Sequence, residues 1–222
     1  MNPDAADAYR RVNYEVPGLG DDEVAADPLG QFDLWLRDAV AADVKEPTAM
    51  SLATCGPDGP AVRVVLAKSV DRNGVVFYTN LESDKGREIE HDPRVAMVFA
   101  WLPLYRQVRF TGTAQQVDRD TAQAYFDTRP HGARIGAWAS PQSRLLSSRT
   151  ELDEMVAAAE AQFPGEQVPV PAHWGGYRVR VNQIEFWQGQ PSRLHDRLRF
   201  RALRATALLD TPQDWQVTRL AP

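Results

Sequence analysis

Cysteine is nearly absent from this 222-residue chain: Cys55 stands alone, which excludes an intrachain disulfide and any cysteine-cluster metal site. Histidine is scarce too. His91, His131, His173 and His195 lie far apart without HExxH or carboxylate-paired spacing, so metal chemistry has no ligand set. No G-x-S-x-G motif occurs, and no glycine-rich fingerprint of the Rossmann or Walker type. A phosphate ligand would therefore be held by side chains and scattered backbone groups. The longest nearly apolar run, Val95 to Leu104, is about half the length of a membrane span and is broken by Pro103. Residues 1–30 carry no apolar core followed by a small-residue cleavage site, so the expectation is a soluble, cytoplasmic protein. Lysine is also rare, confined to Lys45, Lys68 and Lys85 among 25 basic residues.

The composition that is there, 43% apolar and 25% charged, is that of a globular chain. Its length is about 1.5 times that of an average domain, which favours one compact domain with arms, or one large β domain, over two full domains. Twenty-five basic against 30 acidic residues give a net charge of −5, which argues against nucleic-acid binding. The basic excess is local and late: residues 173–222 hold eight arginines and four acids, whereas residues 1–50 hold eleven acids and four bases.

Residues 1–30 read as a polar arm, and residues 31–222 as a single domain. The apolar stripe from Leu29 to Val40 predicts a helix with Asp27 as N-cap. Short apolar segments separated by turn chemistry then predict strands over 49–54, 62–70, 75–79, 94–101 and 106–117, with a short helix from Ser83 to His91. Helices are expected over 118–127 and, behind the capping box at Ser148-Arg149-Thr150-Glu151, to about Gln162. Strands resume at 177–181, 184–188, 193–201 and 215–220. The pattern of β, then α, then β is most simply one antiparallel barrel built from both ends of the chain.

The segment Arg193 to Arg201 is the richest in chemistry. In a strand, Arg193, His195, Arg197, Arg199 and Arg201 share one face. Such a face is either solvated or a seat for an anionic ligand, with His195 placed for proton or hydride chemistry. Arg63, Lys68 and Lys85 form a second basic group, and the helix start at Ser83 is a phosphate seat in principle, although a serine there is more often only a cap.

Taken together, Arg63-Val-Val-Leu-Ala-Lys68, Phe77-Tyr-Thr-Asn80, Ser83-x-Lys85, Arg106-Gln-Val108, Tyr125 with Arg129-Pro130, Ile135-Gly-Ala-Trp138, Gln142-Ser143, Trp174-Gly-Gly-Tyr177, Glu185-Phe-Trp-Gln-Gly189, Arg193-Leu-His-Asp-Arg197 and the terminal Arg219-Leu-Ala-Pro222 resemble the pyridoxine/pyridoxamine 5′-phosphate oxidase family. The likeness runs in order from about Arg11 to the end. It implies a mainly β, antiparallel Greek-key split β-barrel with peripheral α-helices, which binds FMN and forms a homodimer with the flavin at the subunit interface. It also implies oxidation of pyridoxine or pyridoxamine 5′-phosphate by O2 to pyridoxal 5′-phosphate, with hydride passing from the substrate 4′ carbon to flavin N5. Hydrogen peroxide is released, and ammonia as well from the amine.

Carried over residue by residue, the resemblance implies that Arg63, Val64, Val65, Leu66, Ala67, Lys68, Tyr78, Thr79, Lys85, Gln107, Gln142, Ser143, Trp187 and Arg197 hold FMN. Lys68, Tyr125 and Arg129 grip the substrate phosphate. Arg193 and His195 are the catalytic pair over the substrate ring, with Arg11 and Tyr14 of the arm closing above. The chain departs from the family pattern at Asp84, where another base is usual, and at Ala133, where a serine is usual. The stretch 202–212 looks like an insertion without a role. Two alternatives remain open: a split-barrel flavin oxidase on another substrate, of the phenazine-biosynthesis type, or a non-catalytic flavin- or pyridoxal-phosphate-binding protein.

Overall fold

A computed structural model describes residues 13–222. Asp27 accepts a hydrogen bond from the Gly30 N–H at 2.8 Å, and with Pro28 behind it starts α1 (Pro28–Ala41). Phe32, Trp35 and Ala39 on one side of α1 are buried, while Leu34 and Val40 of the same apolar stripe face solvent. There follow β1 (Ala49–Gly56), β2 (Gly59–Leu66), β3 (Ser69–Asp71), β4 (Gly74–Asn80), α2 (Asp84–His91), β5 (Arg94–Trp101) and β6 (Arg106–Gln116). Three helices come next, α3 (Arg119–Asp127), α4 (His131–Ala139) and α5 (Arg149–Gln162). The chain ends in β7 (Trp174–Gln188), β8 (Asp196–Ala202) and β9 (Trp215–Arg219).

All nine strands belong to one antiparallel sheet of order β2-β1-β5-β6-β7-β4-β3, with β8 paired to β7 and β9 to β8. The two ends of that order, β2 and β3, are joined only by Ala67 and Lys68, which closes the sheet on itself. At this seam the Ala67 N–H bonds back to Thr48 at 2.9 Å, and the next N–H, of Lys68, bonds across to Val76 at 2.8 Å. Lys68 thus sits where the barrel changes strands.

The 15-residue strand β7 organises the remainder. Its first part, Trp174 to Val179, pairs with β4, and its last part, Gln183 to Gln188, pairs with β8. A register shift opposite Thr111/Gly112 of β6 separates the two halves, at Asn182. Two strands expected at 177–181 and 184–188 are therefore one bulged strand. The barrel core is aromatic: Phe32 meets Phe99 edge-on at 5.1 Å and Phe110 at 5.6 Å. A second buried cluster, around Phe126, Ile135, Ala159 and Trp174, packs the three middle helices beside the β4 end of β7.

Two further expectations need correction. No strand runs from residue 193. Pro191–Arg193 is a short 3-10 turn, with Ser192 (φ 57°) and Arg193 (φ 64°) both left-handed, and β8 starts only at Asp196. Arg193 and His195 therefore leave the five-residue basic face, which keeps Arg197, Arg199 and Arg201. The stretch 202–212 is also built into the fold. Leu209 is buried, its N–H bonds to Arg72 at 2.9 Å, and its carbonyl accepts from Leu29 at 3.0 Å, tying β8–β9 to the start of α1 and to the β3–β4 turn.

Candidate functional site

Beside the seam lies a cavity of about 680 Å³, within the range of small-molecule sites. Val64, Val65 and Leu66 at the end of β2, together with Lys68, form one wall. Tyr78, Thr79 and Asn80 at the end of β4, with Lys85 of α2, form another. Tyr125, Thr128, Arg129, Pro130, Ala133, Gly136 and Ala137 close it from α3 and α4, and Ser140, Gln142 and Trp174 complete it. Of the residues expected from sequence, Val64, Val65, Leu66, Lys68, Tyr78, Thr79, Lys85, Tyr125, Arg129 and Gln142 are thus brought to one cavity.

The aromatic side is a stack. Tyr78 lies 4.0 Å from Tyr125 and 5.4 Å from Trp174, with interplanar angles of 12° and 5°. The Arg129 guanidinium stands 4.9 Å over the Trp174 ring. Its Nη1 is buried and has no hydrogen-bond partner among the described residues. Burial pushes the Arg129 pKa down, and neighbouring Tyr125 opposes that shift. A half-buried cation whose Nη1 is buried and unsatisfied is what an anionic ligand would satisfy.

Lys85 Nζ donates to Gln142 Oε1 at 2.9 Å and to Ser83 Oγ at 3.2 Å, while the Thr79 hydroxyl donates to the same Gln142 oxygen at 3.2 Å. Burial and then the nearby Arg63 push Lys85 down from its ordinary value. Ser83 is buried and its hydroxyl is already bonded to the Asn80 carbonyl at 2.7 Å, so it acts within the turn. Asp84 is off the cavity wall and pairs with Arg87 at 2.5 Å, one turn along α2. Arg63, Ala67 and Ser143 are also off the wall.

A second group gathers at the other end of β7. Gln107 of β6, Trp187 of β7 and Arg197 of β8 are cross-strand neighbours. The His195 ring lies 4.5 Å from Trp187, and Tyr14 stacks on Tyr105 at 4.3 Å, 5.8 Å from His195. Gly189 makes room for this stack, because a Cβ there would lie 2.6 Å from the Tyr14 ring and 2.9 Å from Tyr105 Cβ. The Gln190 N–H donates to His195 Nδ1 at 3.0 Å. A backbone N–H only donates, so the neutral imidazole carries its proton on Nε2. Burial and then Arg193 push the His195 pKa down. Arg197 Nε donates to buried Glu185 at 2.8 Å. Arg11 lies outside the described residues.

The two groups are not one site within a chain. Tyr78 pairs with Gly176 and Gln107 with Trp187, so eleven steps along β7 lie between them, at most about 36 Å at about 3.3 Å per residue. Asn80, Thr128, Ser140 and Trp174 on the cavity wall, and Tyr105 and Gln190 beside His195, were not foreseen as site residues. Trp174 carried a signal in its Trp-Gly-Gly-Tyr context; left-handed Tyr105 (φ 53°) carried none.

A closed antiparallel barrel with a basic, aromatic-lined cavity at its seam is a split barrel. Residues 36–188 match the family model described as pyridoxamine 5′-phosphate oxidase, and residues 174–222 match the pyridoxine 5′-phosphate oxidase C-terminal dimerisation region. The chain belongs to the pyridoxamine 5′-phosphate oxidase family. It is 51% identical over 213 residues to the pyridoxine/pyridoxamine 5′-phosphate oxidase of Thermosynechococcus vestitus, covering 96% of this chain and 97% of that one. With the protein of the same name from Kineococcus radiotolerans it shares 48% over 219 residues, 97% and 98% of the two chains. Among solved structures it is similar to PhzG from Burkholderia lata 383, in complex with tetrahydrophenazine-1-carboxylic acid, at TM-score 0.83 and 29% identity over 95% of this chain and 100% of that one.

Proposed function

We propose that this protein is an FMN-dependent oxidase that converts pyridoxine and pyridoxamine 5′-phosphates to pyridoxal 5′-phosphate with O2, releasing hydrogen peroxide, and ammonia from the amine. The observation that carries this reading is the convergence of Lys68, Tyr125 and Arg129 on one cavity, with the Arg129 Nη1 buried and without a partner among the described residues. Both ligands of such an enzyme are phosphate monoesters, and the cavity wall carries three cationic side chains, Lys68, Lys85 and Arg129. FMN supplies the two-electron acceptor that the chain's own residues lack.

In this reading Val64 to Leu66, Tyr78, Thr79, Lys85 and Gln142 hold the flavin from one protomer. Gln107, Trp187 and Arg197 hold it from the partner copy, together with Arg193 and His195 over the substrate ring. The separation along β7 and the match of residues 174–222 to a dimerisation region support a site completed by a second copy. Neutral His195 offers its Nε2–H as a donor, and Arg193 stabilises negative charge on the ring. The chain's main contribution is alignment of two rings.

The likeness to PhzG favours a second reading, an oxidase acting on a phosphate-free substrate. Purified protein given pyridoxine 5′-phosphate in air distinguishes them. Pyridoxal 5′-phosphate formed with equimolar peroxide supports the first reading, whereas bound flavin without product favours the second.

A further inference from the structure

Around the start of α2 most charges are paired within the chain. Asp84 is taken by Arg87, and Glu88 by Arg63 at 2.6 Å. The second pair has three corners. Arg63 Nη1 donates to Thr54 Oγ1 and, at 3.4 Å, to the Leu52 carbonyl, while its Nη2 donates to Glu88 Oε2. The Thr54 hydroxyl donates to that same carboxylate oxygen at 2.5 Å. The directions have no freedom: a guanidinium cannot accept, a carboxylate cannot donate, and the hydroxyl's single proton goes to Glu88.

The Arg63 and Glu88 side chains are only 21% and 17% exposed, so the network is largely shielded from water. Burial pushes the Glu88 carboxyl up, but the bonds from Thr54 and Arg63 outweigh it and hold the group below its ordinary range. Glu88 also occupies space left by Gly56, where a Cβ would lie 2.9 Å from Glu88 Cγ.

This arrangement uses both Nη1 hydrogens of Arg63 and one on Nη2. The Nε–H and the second Nη2–H, which share one edge of the planar group, make no bond among the described residues. A free guanidinium edge with two parallel donors matches two oxygens of a phosphate. We propose that Glu88, with Thr54, is a positioning residue that fixes the Arg63 guanidinium, next along β2 to Val64 of the cavity wall, and leaves its remaining edge for the phosphate of the flavin mononucleotide. This rests on the flavin reading above. Holding Arg63 in place during folding removes an ordering cost from flavin binding.

The test compares FMN with riboflavin, which lacks the phosphate. Both are titrated by flavin fluorescence quenching into full-length protein stripped of flavin, for the wild type, Glu88→Gln and Glu88→Ala. Glu88→Ala weakens FMN about tenfold and leaves riboflavin within about twofold, with Glu88→Gln in between because it keeps an acceptor. Arg63→Ala with Glu88→Ala together lose no more FMN affinity than Arg63→Ala alone. Equal weakening of both flavins makes Glu88 a general support and overturns the proposal. Unchanged FMN affinity also overturns it, as does tighter FMN binding, which would make Glu88 a competitor for Arg63. If Glu88→Ala does not fold, Glu88→Gln and Thr54→Val decide by the same comparison. A wild type that takes up neither flavin overturns the flavin reading itself, and the inference with it.

Discussion

At His195 the ring meets the Gln190 N–H on Nδ1, Arg193 along the chain, Trp187 from β7 and Tyr14 from the arm. Protonating Nδ1 would break the Gln190 bond and add a positive charge beside Arg193, so the ring stays neutral to lower pH than a free histidine. If neutral His195 is the active form, the acid limb of the kcat/KM profile therefore falls below about pH 6.5. The linkage has the same sign. The unfolded chain takes up this proton more readily, so its contribution to stability is complete above the ordinary histidine range and declines as pH falls through it.

A donor role also sets a magnitude. His195→Ala costs about three- to tenfold in kcat/KM, as expected for one neutral hydrogen bond, and His195→Gln, which keeps an N–H donor, costs less. A loss of roughly 10²- to 10⁴-fold in both variants would instead indicate proton transfer by the ring. Ala133 lies on the cavity wall. Ala133→Ser adds a hydroxyl there and strengthens substrate phosphate binding by about 0.5–1.5 kcal/mol, read as a lower KM.

At the scale of elements, β7 and the β8–β9 connection carry most of the consequences. In that connection buried Asp214 accepts from the Leu208 N–H at 2.9 Å and pairs with Arg204, and the Trp215 indole donates to the Leu208 carbonyl at 2.8 Å. Asp214→Ala leaves a part-buried N–H unsatisfied, while the exposed Arg204 recovers water. The expected cost is about 1–3 kcal/mol, measured by urea unfolding. Alternation alone extended β8 back to residue 193, because apolar Leu194 fits the period. The left-handed pair Ser192 and Arg193 has no mark in residue type, since neither is glycine or asparagine. Helix α1, by contrast, was legible at its start, because Asp27 and Pro28 are local signals. Helix α4, from His131 to Ala139, has no side-chain cap bond and was not foreseen as a helix.

At the scale of the whole molecule the two residue groups lie at opposite ends of one strand, and the proposed site needs two copies. A protomer carrying Arg129→Ala, mixed with one carrying Arg193→Ala and His195→Ala and allowed to exchange subunits, should recover activity. Half of the resulting dimers are mixed and each has one intact site of two, so about a quarter of wild-type activity returns. Recovery near zero would mean that each site is built within one chain.

What the sequence determined by itself was the antiparallel barrel class and the order of its basic and aromatic segments along the chain. Apolar alternation, turn chemistry and short motifs are local, and local physics is written in local sequence. Only the tertiary structure decided that Lys68 sits at the strand-switching seam, that Asp84 turns to Arg87, and that Glu88 occupies the space beside Gly56 to hold Arg63. It also separated His195 from Arg129 along β7. These outcomes depend on which segments meet in space, and sheet closure brings together residues whose separation along the chain carries no trace of the contact.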